Sequence, residues 1–324
     1  MQTAGIKSGQ RGETAFSSSP RPRRNVWIKM MMKHWQLYLL LLVPLAFVVI
    51  FNYVPMYGVI IAFKNFNVHK GMWGSPWVGL KYFRQFFGQP DSMSIIWNTI
   101  IFSLYLIVAS FPFSILLAIS LNEVNNKKFK KTIQMVTYAP YFISTVVLVS
   151  MIISFLDPSI GIINRLFGIF GVPPQPYISQ QANFIHLYVW SGVWQGMGYG
   201  AVLYLAALSS VPQELYEAVK IDGANRWQKI WYLDLPFILP TATIILILNF
   251  GQLMNVGFEK VYLMQNPGNI AASEVISTYV YKMGLVNMNM SFATAVNLFN
   301  SVVNMILIIL VNRVANRMSE TSLF

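Results

Sequence analysis

The sequence predicts an all-α membrane protein with six transmembrane helices, and three observations carry that prediction. Of its 324 residues, 55% are hydrophobic and only 10% are charged, where a soluble domain carries about 25% charged residues. The few charges are also sorted. Intervals 34–63, 92–122, 132–156, 166–213, 235–258 and 283–312 hold no Asp, Glu, Lys or Arg, and each has room for the roughly 20 apolar residues that span a bilayer core. Finally, 23 Lys and Arg outnumber 11 Asp and Glu, giving a net charge of +12, and these cations collect on alternate loops. A soluble globular enzyme is excluded, because a chain of this size would lack the polar surface it needs.

Residues 1–24 are polar and end on the basic Arg21-Pro-Arg23-Arg24, the composition of a disordered tail, and the basic tail is drawn over 1–33. The apolar run behind them is too long for a signal-peptide core and has no small-residue cleavage site, so 34–63 is read as a retained first helix, centred near 37–61. A loop over 64–92 follows. Within it, PWVGLKYFRQFF (76–87) mixes aromatic rings with Lys81 and Arg84 and predicts a helix lying at the lipid interface. The next spans are expected near 94–120, 133–155, 184–208, 237–257 and 291–311, all within 93–312, and a short tail occupies 313–324. Loop 157–182 carries Gly161, Gly168, Gly171 and the run Pro173-Pro174-Gln175-Pro176, and loop 258–290 lies on the same side.

Orientation follows from the basic residues beside the spans. One side holds seven Lys or Arg before residue 37, four in 122–132, three in 209–236 and two beyond 311, against seven on the other side. By the positive-inside rule both termini are cytoplasmic, with the Lys127-Lys128-Phe129-Lys130-Lys131 cluster acting as an anchor at anionic headgroups. That placement points the positive charge at membrane lipid rather than at nucleic acid. The sequence has no cysteine, and its three histidines, His34, His69 and His186, show no ligand spacing. Cys-ligated zinc, thiol catalysis and a structural metal site are therefore not expected.

Apart from His186, the six predicted spans contain no ionisable residue. Ion-coupled carriers ordinarily keep such groups inside the bilayer, and a membrane-embedded enzyme needs an acid, a base or a metal ligand. If this chain moves a solute, the energy enters from elsewhere. Neutral amides are plentiful instead. Gln195 sits among Gly192, Gly196, Gly198 and Gly200; Asn249, Gln252 and Asn255 follow i, i+3, i+6; Asn297, Asn300 and Asn304 follow i, i+3, i+7. Each of the last two sets is expected on one inward helical face. Two readings stand side by side: amides as glue between helices, or a hydrogen-bonding pathway for a hydroxyl-rich solute, with Tyr188, Trp190, Trp194 and Tyr199 stacking on sugar faces. The glycines are expected to permit close helix packing.

Segment 209–236 is the most specific feature. Ser210 and Gln213 have the spacing of a capping box, Pro212 suits a first turn, and a short amphipathic helix should run to about Ile221. Asp222-Gly223 ends it, and Asn225 with Gln228 repeats the cap pattern for a second helix leading to Pro236. Glu217-Ala218-Val219, then Gly223 after three residues, then Leu233-Asp234-Leu235-Pro236 after nine more, resembles the EAA signature of ABC importer permeases, with Val219 for the second Ala and Leu233 for Ile. The string around Asp222-Gly223-Ala224 strengthens the match. The first span, VGLKYF, the NPGN stretch, STYVYKMG, SFATAVNLF and VNRVANR are similar to the polysaccharide-type sugar permeases of that family, including those of alginate-oligosaccharide importers, over most of 37–317.

The resemblance implies a type I ABC importer (MetI-like) permease core over 93–312, with the first helix wrapped outside it. It also implies that Glu217, Ala218, Val219, Asp222, Gly223, Ala224, Leu235 and Pro236 serve coupling to a cytoplasmic ATPase. Further implied are a second permease subunit in a heterodimer, two ATPase subunits, an extracytoplasmic solute-binding protein, an oligosaccharide substrate and residence in a bacterial inner membrane. No cofactor is expected on this chain, since ATP and Mg²⁺ would be used by the ATPases and no phosphate loop is present. For an acidic sugar, Lys64, Lys70, Lys81, Arg84, Arg165, Lys260 and Lys282 are the candidate cations, headgroup anchoring being the competing role. An ion-coupled carrier or channel for a neutral polar solute is the alternative.

Overall fold

The computed structural model describes residues 32–318, with side chains to 315. The predicted basic tail falls almost wholly outside the described residues, as does the chain end after 318. Among the described residues the backbone is helical, apart from turns, loops and one isolated bridge between Lys64 and Trp77. The chain divides into two compact units, Met1–Gly58 and Val59–Phe324. Most of helix α1, Trp35–Phe63, lies in the first, and its last turns belong to the second. Pro55 has no N–H to donate, and the ladder ahead of it widens into a π-turn over Val49–Tyr53.

In the second unit, α2 (Lys81–Phe87) precedes the long α3 (Ser92–Glu123). One face of α2 is packed on protein: Tyr82 and Phe86 are buried, and the Phe86 ring lies 6.0, 6.3 and 6.1 Å from those of Tyr279, Phe292 and Phe299. Fully burying a ring of this size contributes about 1.5–3 kcal/mol. Lys81, Arg84, Gln85 and Phe87 stay exposed on the other side.

The third predicted span is not one helix. It comprises α4 (Lys127–Phe142) and α5 (Thr145–Leu156), bent from each other by 97°. Pro140 sits in the closing 3-10 turn of α4, while Ser144 is extended and caps α5 by accepting a bond from the Val147 N–H at 3.4 Å. A capping serine two residues after a tightened turn starts a new helix instead of prolonging the old one. Beyond α5, Asn164 of α6 (Ile162–Ile169) is buried and organises the 157–175 loop. Its amide nitrogen donates to the carbonyls of Leu156, Asp157 and Gln175, and its oxygen accepts from the Gln175 N–H.

Helix α7 (Gln181–Ser209) packs along α3 and enters two of the three apolar core clusters. It is long enough to cross a membrane but is not among the four helices that are also sufficiently apolar, namely α1, α3, α9 and α12. The bent α4–α5 pair makes up to five. The expected count of six is thus not reached on length and apolarity alone, because α7 faces protein and carries glycines and polar groups in place of lipid-facing aliphatics. Glycine explains how closely it packs. A Cβ on Gly198 would lie 2.0 Å from the Thr137 carbonyl oxygen, and one on Gly200 would lie 2.7 Å from Ser114 Oγ. The expectation of glycine-mediated close packing is met at both positions.

Helix α8 (Gln213–Ile221) leads through a turn to α9 (Arg226–Gly251). Helix α9 ends at Gly251, six residues before the predicted boundary, and 252–257 is irregular. A Cβ at Gly251 would meet Ile308 at 2.8 Å, so the chain leaves the helix where it abuts its neighbour. Short helices α10 (Phe258–Met264) and α11 (Ile276–Tyr281) precede the final α12 (Met290–Met318).

Candidate functional site

The 209–236 segment forms the helix, turn and helix that its sequence predicts, with one difference at the start. Ser210 does not cap α8; its hydroxyl donates back to the Ala207 carbonyl at 2.7 Å, and the helix begins at Gln213 behind an extended Pro212. The α8 C-terminus is a Schellman turn. Gly223 takes φ +73°, its N–H donates to the Lys220 carbonyl, and the Ala224 N–H donates to that of Val219. Asn225 and Gln228 form the expected capping box, at 2.9 and 2.8 Å. Within α9 a π-turn over Ile230–Asp234 leads into Leu235 and Pro236, because Pro236 cannot continue the ladder as a donor.

Glu217, Ala218, Asp222, Gly223 and Pro236 are exposed, while Val219, Ala224 and Leu235 are half-buried. Among the described residues neither the Glu217 nor the Asp222 carboxylate has a hydrogen-bond or ion-pair partner. The turn is held by its backbone bonds. Beside α8 opens a polar recess of about 700 Å³, whose lining includes Asn122, Glu217, Lys220, Ala224 and Arg226.

The inward side of α8 carries a network that sequence reasoning missed. The Tyr216 hydroxyl donates to Asp234 Oδ1 at 2.8 Å and accepts from Asn122 Nδ2 at 3.2 Å. Lys229 pairs with Glu123, and its Nζ lies 5.4 Å from the centre of the Tyr216 ring. Burial, and then the bond to Asp234, push the Tyr216 hydroxyl up to about 12, so it remains a donor. The visible signals were Asn122 at the end of a charge-free interval and an Asp between the two leucines of Leu233-Asp234-Leu235.

The predicted amide faces are only partly assembled. Asn249 lies in α9, Gln252 caps its end and Asn255 lies beyond it, so these three do not share a helical face. A chain of bonds joins the two sets instead: Asn255 Nδ2 donates to Gln252 at 2.6 Å, and Asn300 Nδ2 donates to Asn255 at 3.1 Å. Asn304 accepts the buried Met254 N–H at 2.9 Å, tying the irregular stretch to α12. Gln195 Nε2 donates at 2.9 Å to the Ile143 carbonyl left open at the α4–α5 break. The last three of these contacts join one helix or turn to another. Asn297 is different: it is exposed and lines a cavity of about 460 Å³ with Phe258, Ser277, Tyr281 and Thr294.

The expected stacking aromatics are also partly committed. Tyr199 stacks on Tyr141 with centroids 4.0 Å apart, and Tyr188 is buried beneath Lys260, whose Nζ donates to the Tyr188 carbonyl at 2.9 Å. Burial pushes the Lys260 amine down to about 8. Of the other candidate cations, Lys64 donates to the Met72 and Trp73 carbonyls, Lys282 pairs with Glu274, and Lys81 lies 5.6 Å from the centre of the Tyr82 ring. Trp190 and Trp194 remain exposed. The quoted NPGN stretch closes on Asn269, which is fully buried and donates to the carbonyls of Ile178 and Met264.

Residues 110–320 match the family model described as the inner membrane component of binding-protein-dependent transport systems. The chain is similar to Protein LplB of Bacillus subtilis (strain 168), with 39% identity over 92% of this chain and 94% of that one. It is similar over the whole of both chains, at 37% identity, to YteP, the polygalacturonan/rhamnogalacturonan transport system permease protein of the same organism. A crystal structure of a bacterial alginate ABC transporter, in complex with an alginate pentasaccharide-bound periplasmic protein, contains a chain that superposes with a TM-score of 0.83. That chain is 34% identical, and the match covers 91% of this chain and 99% of that one.

Proposed function

Because this chain belongs to the family of inner membrane components of binding-protein-dependent transport systems, and so is a multi-pass ABC permease subunit, we propose that it imports an acidic oligosaccharide. Its whole-length likeness to a permease for polygalacturonan/rhamnogalacturonan carries the proposal, and its likeness to an alginate transporter chain supports it. Polygalacturonan and alginate are both built from uronic acids, so a carboxylate-bearing cargo is the chemistry those relatives share. Exposed neutral donors such as Asn297 suit hydroxyls, and the buried Lys260 amine, which no carboxylate among the described residues neutralises, suits a uronate.

In this reading α8 is the cytoplasmic coupling element. Glu217, Ala218 and Asp222 project toward an ATPase, and Gly223 gives the turn its tightness. Both termini are cytoplasmic, and a second permease completes the pathway. Two ATPase subunits supply the energy with ATP and Mg²⁺, and a solute-binding protein delivers cargo to the opposite face. Alternating access follows: closure of the ATPases moves α8 and opens the pathway toward the binding protein, and hydrolysis resets it.

Reconstitution with the partner subunits tests this reading. Labelled oligogalacturonide or alginate oligosaccharide should enter proteoliposomes only with ATP and binding protein present, in preference to neutral arabino-oligosaccharide. Preferential import of the neutral sugar would overturn the acidic assignment. Uptake driven by an ion gradient without the ATPases would overturn the importer reading itself.

A further inference from the structure

We infer that Tyr216, Asp234, Asn122 and the Glu123–Lys229 pair form a latch that carries the displacement of α8 into α3 and α9 together. The inference rests on α8 being the ATPase-contacting element. Its starting point is mechanical. The covalent route from α8 to α9 passes through Gly223, in the left-handed region at φ +73°, with no atom within 4 Å of where a Cβ would stand. The turn is tight, but it is a single strand of backbone and resists bending less than helices bonded side by side. A push on α8 would fold the turn and leave α9 at rest unless something spans the joint.

The network spans it. Tyr216 is next to Glu217, yet it points inward, and its single hydroxyl meets groups from two other helices. It donates to Asp234 of α9 at 2.8 Å and accepts from Asn122 of α3 at 3.2 Å. Lys229 of α9 closes the loop by pairing with Glu123 of α3 while lying against the Tyr216 ring. Three elements therefore share one set of polar contacts at their common end. The contacts join side chains near the π-turn Ile230–Asp234 and just before Pro236, where α9 begins its straight run.

Asp234 is 0% exposed; its Oδ1 accepts from Tyr216, which ties the buried carboxylate to α8, and the charge of Lys229 acts on it from the same helix. Tyr216, Asp234 and their partners are thus positioning residues that act through α8 and α9 rather than on cargo.

The test uses the assembled transporter with its partner permease and ATPases. The native chain has no cysteine, so nitroxides placed by Ile221→Cys and Leu248→Cys, both exposed positions, report only the α8–α9 separation. With the latch intact, this distance should be single and equal in the nucleotide-free and ATP–vanadate states. Tyr216→Phe, which keeps the ring, and Asp234→Leu, which has no acceptor, should each split it into two populations. Each should also raise the ATP hydrolysed per labelled oligogalacturonide imported about tenfold, the worth of one hydrogen bond to a charged group. The double variant should be no worse than either single one, because both remove the same bond. Unchanged distance and stoichiometry in assembled variants would overturn the latch, even if their thermal stability fell, while normal wild-type import would leave the reading of α8 standing. ATP-independent import by the wild type would instead remove the reading on which the latch rests.

Discussion

Two glycines two residues apart in α7 should respond oppositely to the same methyl group. A Cβ at Gly198 would stand 2.0 Å from the Thr137 carbonyl oxygen and 2.5 Å from its carbon, whereas one at Gly196 would meet nothing within 4 Å. Carbon and oxygen need more than 3 Å, so Gly198→Ala must drive α4 from α7 by at least about 1 Å. The obstacle is backbone held in a helix, not the tip of a side chain that can swing aside. The penalty therefore belongs at the upper end of the overpacking range, about 3 kcal/mol. Gly196→Ala adds no clash and relieves the helix of glycine's backbone freedom, a gain of about 0.5–1 kcal/mol. Thermal unfolding of the purified protein in detergent, followed by tryptophan fluorescence, should show the apparent Tm of Gly198→Ala lower by about 5–10 °C, a few degrees per kcal/mol at this size. Gly196→Ala should match or exceed the wild type. Equal Tm values for the two variants would refute the close α4–α7 approach from which the argument starts.

The remaining predictions can be checked with the same preparations. Asn304→Leu leaves the buried Met254 N–H without its acceptor and should destabilise by about 1–3 kcal/mol, while Asn297→Leu at an exposed position should leave Tm unchanged and alter import alone. Gly223→Val forces a β-branched residue into φ +73°, a conformational penalty of about 1–2 kcal/mol; quantitative blotting should find normal amounts in the membrane while import drops at least several-fold. Lys260 titrates at about 8 in the folded protein and near 10.4 unfolded, so the unfolded chain binds more protons between those values. Its contribution to stability should rise with pH across that window, by up to about 3 kcal/mol, and stay flat below it. The Tm difference between wild type and Lys260→Met, followed from pH 7 to 10, should therefore change only above pH 8.

Charge placement and local capping were legible without coordinates because both are properties of contiguous sequence. Bare intervals located α1 and α3 to within a few residues and α9 and α12 with larger errors at their ends, and Asp222-Gly223 with Asn225 and Gln228 gave the turn after α8. The errors share one cause. The predicted 133–155 helix is broken because Ser144 finds a helix to cap and Gln195, 52 residues away, satisfies the carbonyl exposed at Ile143. The 249–255 face dissolves because Gly251 meets Ile308 and Asn304 accepts the Met254 N–H. In each case a distant residue supplies a partner that local periodicity cannot see.

By itself, then, the sequence determined that this is an all-helical membrane chain with one loop built as a capped helix and a glycine turn, since hydrocarbon excludes charge and caps act over a few residues. Only the tertiary structure decided which amides are glue and which remain open, and that Tyr216, two residues ahead of Ala218, turns inward to join Asn122 and Asp234. A hydrogen bond fixes its partner over about 3 Å of space, and that distance has no image in the order of residues.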